Sequence, residues 1–300
     1  LGIFICGGKG KTSRKTPDEI KTWGERLSLP ASHTQNLVYN SKMSAKVDSA
    51  LVQDAYQIYH HSFFFSRSGA WAVVQQGMNQ ENQTARRYHW YSSDVKDLVC
   101  EPHSAIVTQK QADSVLDMTS KKSTKNRQIS TDLVSQSFVT LMRDIEILRK
   151  HSSSLSRMIS LKRRHETLTL LELAGVEFTT YPVINADFSR SRYLEKILSR
   201  LTDDKPKTYQ ELLATEGVGP KTIRALALVS EIIYGAKPSY EDPARYSFAH
   251  GGKDATPYSV DRPTYDQTIE LLKDAVRKSK INPVERDKAL RRLSRSSRHS

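Results

Sequence analysis

Cysteine is nearly absent from this sequence: Cys6 and Cys100 are the only two in 300 residues. Two thiols so far apart exclude a disulfide scaffold, a four-cysteine zinc site and a cysteine-ligated iron–sulfur cluster, and they suit a reducing compartment. Long apolar runs are missing as well. No stretch approaches the roughly 20 residues of a membrane-spanning helix, and the opening LGIFIC runs into glycine rather than a cleavage site. A cytoplasmic protein without a membrane partner is expected. No repeat of solenoid period is present. Acid is the scarcer charge, with 33 Asp and Glu against 46 Lys and Arg and a formal net charge of +13. That imbalance points to a polyanionic partner, nucleic acid or an acidic membrane surface. Residues 277–300 carry nine basic side chains and two acidic ones, a basic tail that serves either solubility or nucleic-acid contact.

What is present reads as an α+β protein: a mixed domain with a small sheet over residues 1–118, a linker or surface loop at 119–131, and a mainly helical domain over 132–276. LGIFIC is a short apolar run ending at Gly7-Gly8, the pattern of a buried strand. It lacks an initiating methionine, so a fragment of a longer chain is expected. Thr16-Pro17-Asp18-Glu19 signals a helix start. Val47, Leu51, Ala55 and Ile58 recur at helical spacing and predict a helix face. FFF, SRSG and WAVVQQ form a candidate hairpin, with SAIV a further strand. The polar stretch from Gly77 to Ser93 reads as a loop or short helix. TSKKSTKNRQIST, with no apolar periodicity, reads as the linker. Val134, Phe138, Leu141, Ile145 and Leu148 trace an amphipathic helix, and RYLEKILSRL another, ended by TDDKPK.

Between TYQELLA and KTIRALALVSEIIYG there is room only for a tight connection. Thr208 can cap the first helix, Pro220 suits the first turn of the second, and Gly235 its end. Backbone amides at Gly217, Val218 and Gly219 and in the following turn, unobstructed by side chains, would form an anion site at a positive helix end. Lys221 and Thr222 follow immediately. The alternative is a plain helical hairpin with glycines for close packing.

Other constellations stay open. AHGGKDATPYSVDR contributes Gly251, Gly252 and Lys253 as a second phosphate-friendly loop, and CGGKGKTSR, with Lys9, Lys11 and Arg14, is a third, though its spacing is not that of a Walker loop. Arg86, Arg87, Tyr88, His89 and Trp90 mix basic and aromatic groups as single-stranded nucleic acid requires; a structural stretch anchored by Trp90 is the alternative. His60, His61, His89 and His103, with Asp54 and Glu101, would form a metal or acid–base site if the fold gathered them; their spacing does not demand it. The motifs name no cofactor and leave open whether the protein is an enzyme.

The Gly-Val-Gly turn with its flanking helices resembles the helix-hairpin-helix motif, which implies phosphate binding by main-chain amides, a nucleic-acid partner with DNA expected over RNA, and a role in DNA repair or processing. GVGPKT is also similar to a motif of endonuclease III-like DNA glycosylases. That likeness implies Lys221 as a nucleophile with Asp242 or Asp261 as the assisting acid, in a glycosylase-lyase or nuclease; this chain departs from it in having Thr215-Glu216 before the first glycine and no cluster cysteines. A small-molecule phosphate enzyme built on the three glycine loops is a third reading. Across most of the chain, GGKGKTSRKTP, WAVVQQGMN, ARRYHW, EPHSAI and DPARYSFAHGGKDATPYSVDR resemble an uncharacterised, mainly archaeal family, domain of unknown function 763. That resemblance implies a further histidine- and glycine-rich segment ahead of LGIFIC and names no activity.

Overall fold

The computed structural model describes residues 2–81, 83–108, 111–151, 159–163, 166–170, 191–244 and 262–296. Strand β1 (Ile3–Lys9) leads through a 3-10 turn (Gly10–Lys15) into helix α1 (Thr16–Arg26), with Pro17 in its first turn and Asp18 and Glu19 at its positive end, as the capping pattern predicts. Helix α2 (Ala31–Ala50) follows, then the short β2 (Val52–Gln53), β3 (Gln57–Ser66), β4 (Trp71–Asn79), β5 (Thr84–Tyr91), β6 (Ala105–Thr108) and the short β7 (Leu116–Asp117). The main sheet has the order β1-β3-β4-β5-β6, with β3 through β6 antiparallel to their neighbours. β2 pairs with β7 in a separate ribbon.

The predicted hairpin forms with Phe65 opposite Trp71 and Phe63 opposite Val73, closed at Gly69, whose φ is +93°. Alternation puts Phe63, Phe65, Trp71, Val73 and Trp90 on the inner face, in one core with Cys6, Ile20, Leu37, Met43 and Val47. Phe63 and Trp71 stack at 5.8 Å. Burying aromatic side chains of this size on one face is the main drive for the sheet to close on α1 and α2.

Several expectations need correction, three of them in the sheet region. The helix expected through Ile58 stops at Ala50. The Asp54 carboxylate accepts the Tyr56 N–H at 3.0 Å, Ala55 takes a left-handed φ of +66°, and the β-rich alternation of IYHHSFFFS then prevails over helical spacing. The stretch after Gly77 is neither loop nor short helix from Thr84 onward. It is strand β5, with Arg86, Tyr88 and Trp90 buried on its inner face. β1 is an edge strand buried on one face only, since Cys6 is 1% exposed and Ile5 60%.

The expected linker at 119–131 is a turn (Lys121–Ser123) and most of helix α3 (Thr124–Ser135). It lacks apolar periodicity because it buries polar side chains instead. Asn126 Nδ2 donates to Ala227 O at 2.9 Å and Ala236 O at 2.7 Å, and Ser130 Oγ lies 3.0 Å from Ser230 Oγ. Arg127 Nη1 donates to Met118 O at 2.7 Å and Ser120 O at 2.8 Å. A buried polar group costs little once hydrogen-bonded, so α3 packs inside the protein and no domain boundary falls there.

The predicted amphipathic helix divides at Gln136. Val134 closes α3, while Leu141 and Ile145 are buried on α4 (Phe138–His151). Strands β8 (Ile159–Arg163) and β9 (Glu166–Leu170) form an antiparallel pair. Helices α5 (Arg192–Asp204), α6 (Tyr209–Ala214) and α7 (Pro220–Ile232) complete the helical half. Phe4–Arg245 form one compact unit, an α+β fold in which the small sheet precedes the helices, as predicted. A second unit contains α8 (Arg262–Lys278) and α9 (Pro283–Ser296), so the basic tail is largely helical, with local pairs such as Lys288–Glu285 at 3.0 Å and Arg291–Asp287 at 2.9 Å.

Arg86 ties the larger unit together. Fully buried, its Nη1 donates to Asp54 Oδ2 at 2.9 Å, and Nη1 and Nη2 grip Asp242 at 3.0 and 2.7 Å. Its guanidinium also lies 4.7 Å from the Tyr56 ring centroid. Removing one partner of a buried ion pair strands the others in low dielectric. Arg86→Met is therefore expected to lower unfolding stability by about 3–5 kcal/mol, read as a shift in denaturant midpoint; a loss within experimental error would show that the pairing is dispensable.

Candidate nucleic-acid interface

Helix α6 is capped by Thr208, whose hydroxyl accepts the Glu211 N–H at 3.1 Å. The chain then turns at Thr215–Gly219 and enters α7 through Pro220. Gly217 has φ +87°, and a Cβ there would lie 2.3 Å from Ile197 Cδ1 and 3.2 Å from Tyr193 Oη. Both conformation and contact require glycine. Val218 is 4% exposed and plugs the turn into the core. Gly219 is different: its φ of −149° suits any residue, and a Cβ there would meet nothing within 4 Å.

The acceptors of this turn are nearly all taken. Lys46 Nζ, reaching from α2, donates to Leu213 O and Thr215 O, both at 2.6 Å. Arg200 Nη1 donates to Glu216 O at 3.2 Å, and Tyr193 Oη to Gly217 O at 3.2 Å. Thr215 O also accepts the Val218 N–H at 3.3 Å, and Gly219 O the Ile223 N–H at 3.1 Å. The donors fare otherwise. No side chain caps α7, and the amides of Lys221 and Thr222 precede the first intrahelical acceptor. These N–H groups, with no partner among the described residues, stand at the positive end of a 13-residue helix.

Lys221 is exposed beside these amides. Thr222 is 2% exposed, so it can offer its amide but not its hydroxyl. The Val218 amide is already used in the turn, contrary to the expectation that it is available. Lys46, Tyr193 and Arg200 were not among the sequence candidates. Lys46 and its exposed neighbour Lys42 share a helical stripe with Tyr39, whose hydroxyl accepts from Gln210 of α6 at 2.8 Å; only the tertiary fold brings that stripe to the turn. Burial holds the Lys46 ammonium below its ordinary pKa, partly offset by Glu216.

Other predicted residues are dispersed. Arg86 cannot contact nucleic acid, because it is buried with Asp54 and Asp242, whereas Arg87 is exposed. Asp242 also accepts the amides of Ala112 at 2.7 Å and Ala244 at 2.9 Å, which commits it to structure and removes it as an assisting acid. Gly251, Gly252, Lys253 and Asp261 lie outside the described residues. At the first glycine loop, the Gly7 N–H donates to Glu19 Oε2 at 2.6 Å, so a carboxylate of α1 already occupies the slot proposed for phosphate.

The four histidines do not meet at one point. His60 Nε2 contacts Ser62 Oγ at 2.8 Å, and His89 Nε2 is buried without a partner. Among the described residues no group of three His, Cys, Asp or Glu is placed to hold a metal ion. His61 and His103 instead belong to a buried relay. Gln75 Nε2 donates to Ser44 O at 3.1 Å and to Asp48, which orients Gln75 Oε1 to accept from His61 Nδ1 at 3.0 Å. His61 Nε2 then accepts from Ser41 Oγ at 2.9 Å. Asp48 Oδ1 in turn lies 2.6 Å from His103 Nε2.

Fold and site together define a mixed α+β protein with a tight turn between two helices whose leading amides have no partner among the described residues, and with no described helix long and apolar enough to cross a membrane. The chain belongs to the family described as Protein of unknown function (DUF763), whose model matches residues 1–260. Comparison with the curated proteins and with the solved structures found no match.

Burial holds His61 below its ordinary pKa of 6.5, more than the Gln75 hydrogen bond raises it. The unfolded chain therefore binds a proton near pH 6.5 that the folded relay refuses, and stability is lost as pH falls from 6.5 toward the folded value. Denaturant midpoints measured between neutral and mildly acidic pH are expected to fall in the native chain and to flatten in His61→Gln. An unchanged slope in that variant would assign the titration elsewhere.

Proposed function

We propose that the protein holds nucleic acid, DNA in preference to RNA, by its phosphate backbone at the α6–α7 turn, and that it serves DNA repair or processing. The observation that carries this reading is the asymmetry of the turn: its carbonyls are consumed by Lys46, Arg200 and Tyr193, while amides of the first turn of α7 have no partner among the described residues. Such an end accepts anions and repels donors. The pattern fits a helix-hairpin-helix motif, with Gly217 required by the fold and Gly219 by access.

Lys221 supplies a point charge beside the bound phosphate, and the net charge of +13 draws the polymer in. Contacts of this kind set register on the backbone and leave base sequence unread. Lys221 acts here as a phosphate ligand. The commitment of Asp242 to Arg86 weighs against a lysine–aspartate lyase pair using that residue.

Gly219→Val separates fold from function, because its side chain enters open space with a φ that valine accepts. The variant should keep the native melting temperature and lose about tenfold or more in affinity for duplexes of unrelated sequence, the value of one or two charge-assisted hydrogen bonds. Lys221→Ala should weaken all sequences alike and reduce the salt slope by about one. Native-level binding by Gly219→Val, or affinity insensitive to salt, would end this reading.

A further inference from the structure

A polar cleft of about 220 Å³ opens in the larger unit, lined by Glu101, His103, Ser104, Asp117, Thr119 and Ser120. His103 is held from behind. Its side chain is 7% exposed and its Nε2 lies 2.6 Å from Asp48 Oδ1. Asp48 also accepts from Trp90 Nε1 at 3.1 Å and from Gln75 Nε2. The carboxylate fixes the imidazole Nε2 as the N–H, so that Nδ1 is the lone pair of the neutral ring. No partner for Nδ1 occurs among the described residues, and His103 forms part of the cleft wall, so the acceptor is presented to whatever enters.

The rest of the lining has the same polarity. Asp117 is 4% exposed, and its Oδ1 accepts from the Thr119 amide at 2.8 Å and hydroxyl at 2.5 Å. Among the described residues no Lys or Arg pairs with it, in contrast to Asp54, which has Arg86. The Ser104 hydroxyl is buried without a partner among the described residues. Glu101 stands at the rim with a left-handed φ of +47°, its carboxylate 3.7 Å from Lys121 Nζ. A buried carboxylate is costly without a partner of opposite charge; none of the described lining residues is Lys or Arg, and His103 is the basic lining side chain that acts on Asp117.

We propose that this cleft binds a small organic cation with N–H donors, a guanidinium or primary ammonium group, which pairs with Asp117 and donates to His103 Nδ1. The ligand supplies the charge that no described Lys or Arg brings to Asp117. An anion would meet the Asp117 and Glu101 carboxylates, with Lys121 at the rim already beside Glu101, and Glu101, His103 and Asp117 are not placed to hold a metal ion together. The site lies on different residues from the α6–α7 turn and is independent of nucleic-acid binding.

The test uses the full chain with ring-nitrogen NMR of His103 and thermal melting. Methylguanidinium and butylammonium chloride are titrated at millimolar concentration beside methylurea, a neutral analogue of similar shape, and sodium phosphate. The two cations should shift the His103 nitrogens saturably and raise the melting temperature; methylurea and phosphate should do neither. Asp117→Asn should weaken cation binding about tenfold or more, and Ser104→Ala should weaken it less. If Asp117→Asn does not fold, the charged-against-neutral comparison on the native chain decides. An equal response to methylurea, a response to phosphate alone, no response of His103, or undiminished affinity in a folded Asp117→Asn would overturn the proposal.

Discussion

Buried carboxylates set the terms for this fold. Asp48, Asp54 and Asp117 are all 5% exposed or less, and water can satisfy none of them well, so the chain must bring donors to each. Asp54 recruits Arg86 and Tyr88, and through Arg86 it fastens Asp242, which follows α7 in sequence, to the central sheet. Asp48 draws Gln75, Trp90 and His103 onto α2. Asp117 takes the amide and hydroxyl of Thr119 and the amide of Ser120 in the wall of a cleft. Apolar burial supplies most of the drive to collapse, but these polar requirements select which collapsed arrangement is stable.

The same logic explains the asymmetry between the two candidate sites. At the α6–α7 turn cationic and hydroxyl donors converge on carbonyl oxygens, and the surplus is positive. In the His103 cleft acceptors converge with no cationic side chain in the described lining, and the surplus is negative. A strongly basic protein therefore carries two candidate sites of opposite sign, each created by which backbone or side-chain groups have already found partners.

Much of the architecture is legible in the sequence where side chains follow a strong period. Phe63, Phe65, Trp71 and Val73 announce the hairpin, Thr16-Pro17 announces α1, and Leu194, Ile197, Leu198 and Leu201 announce α5. The misreadings share a cause. Helix α3 looks like a linker because its buried face is Asn126, Arg127, Ser130 and Thr131, whose stability comes from distant hydrogen bonds. Strand β5 looks like a polar surface because Arg86 faces inward, where Asp242, more than 150 residues later, neutralises it. Gly217-Val218-Gly219 is visible as a turn between helices, but Lys46 and Tyr193 enter its geometry only through tertiary packing. The His103 cleft is half legible: the histidine stands out, and its carboxylate orienter, 55 residues away, does not.

The contact of α3 with α7 has a mechanical consequence. Apolar helix faces can slide or rotate against one another by fractions of a turn at modest cost, because dispersion forces have little direction. Asn126 instead clamps two particular carbonyl oxygens, one within α7 and one just beyond it, and Ser130 meets Ser230 a turn away. A shift of one residue along either axis would orphan all of these groups together. Helix α7 is thereby indexed like a toothed rod, and the position of its leading amides is set from its far end.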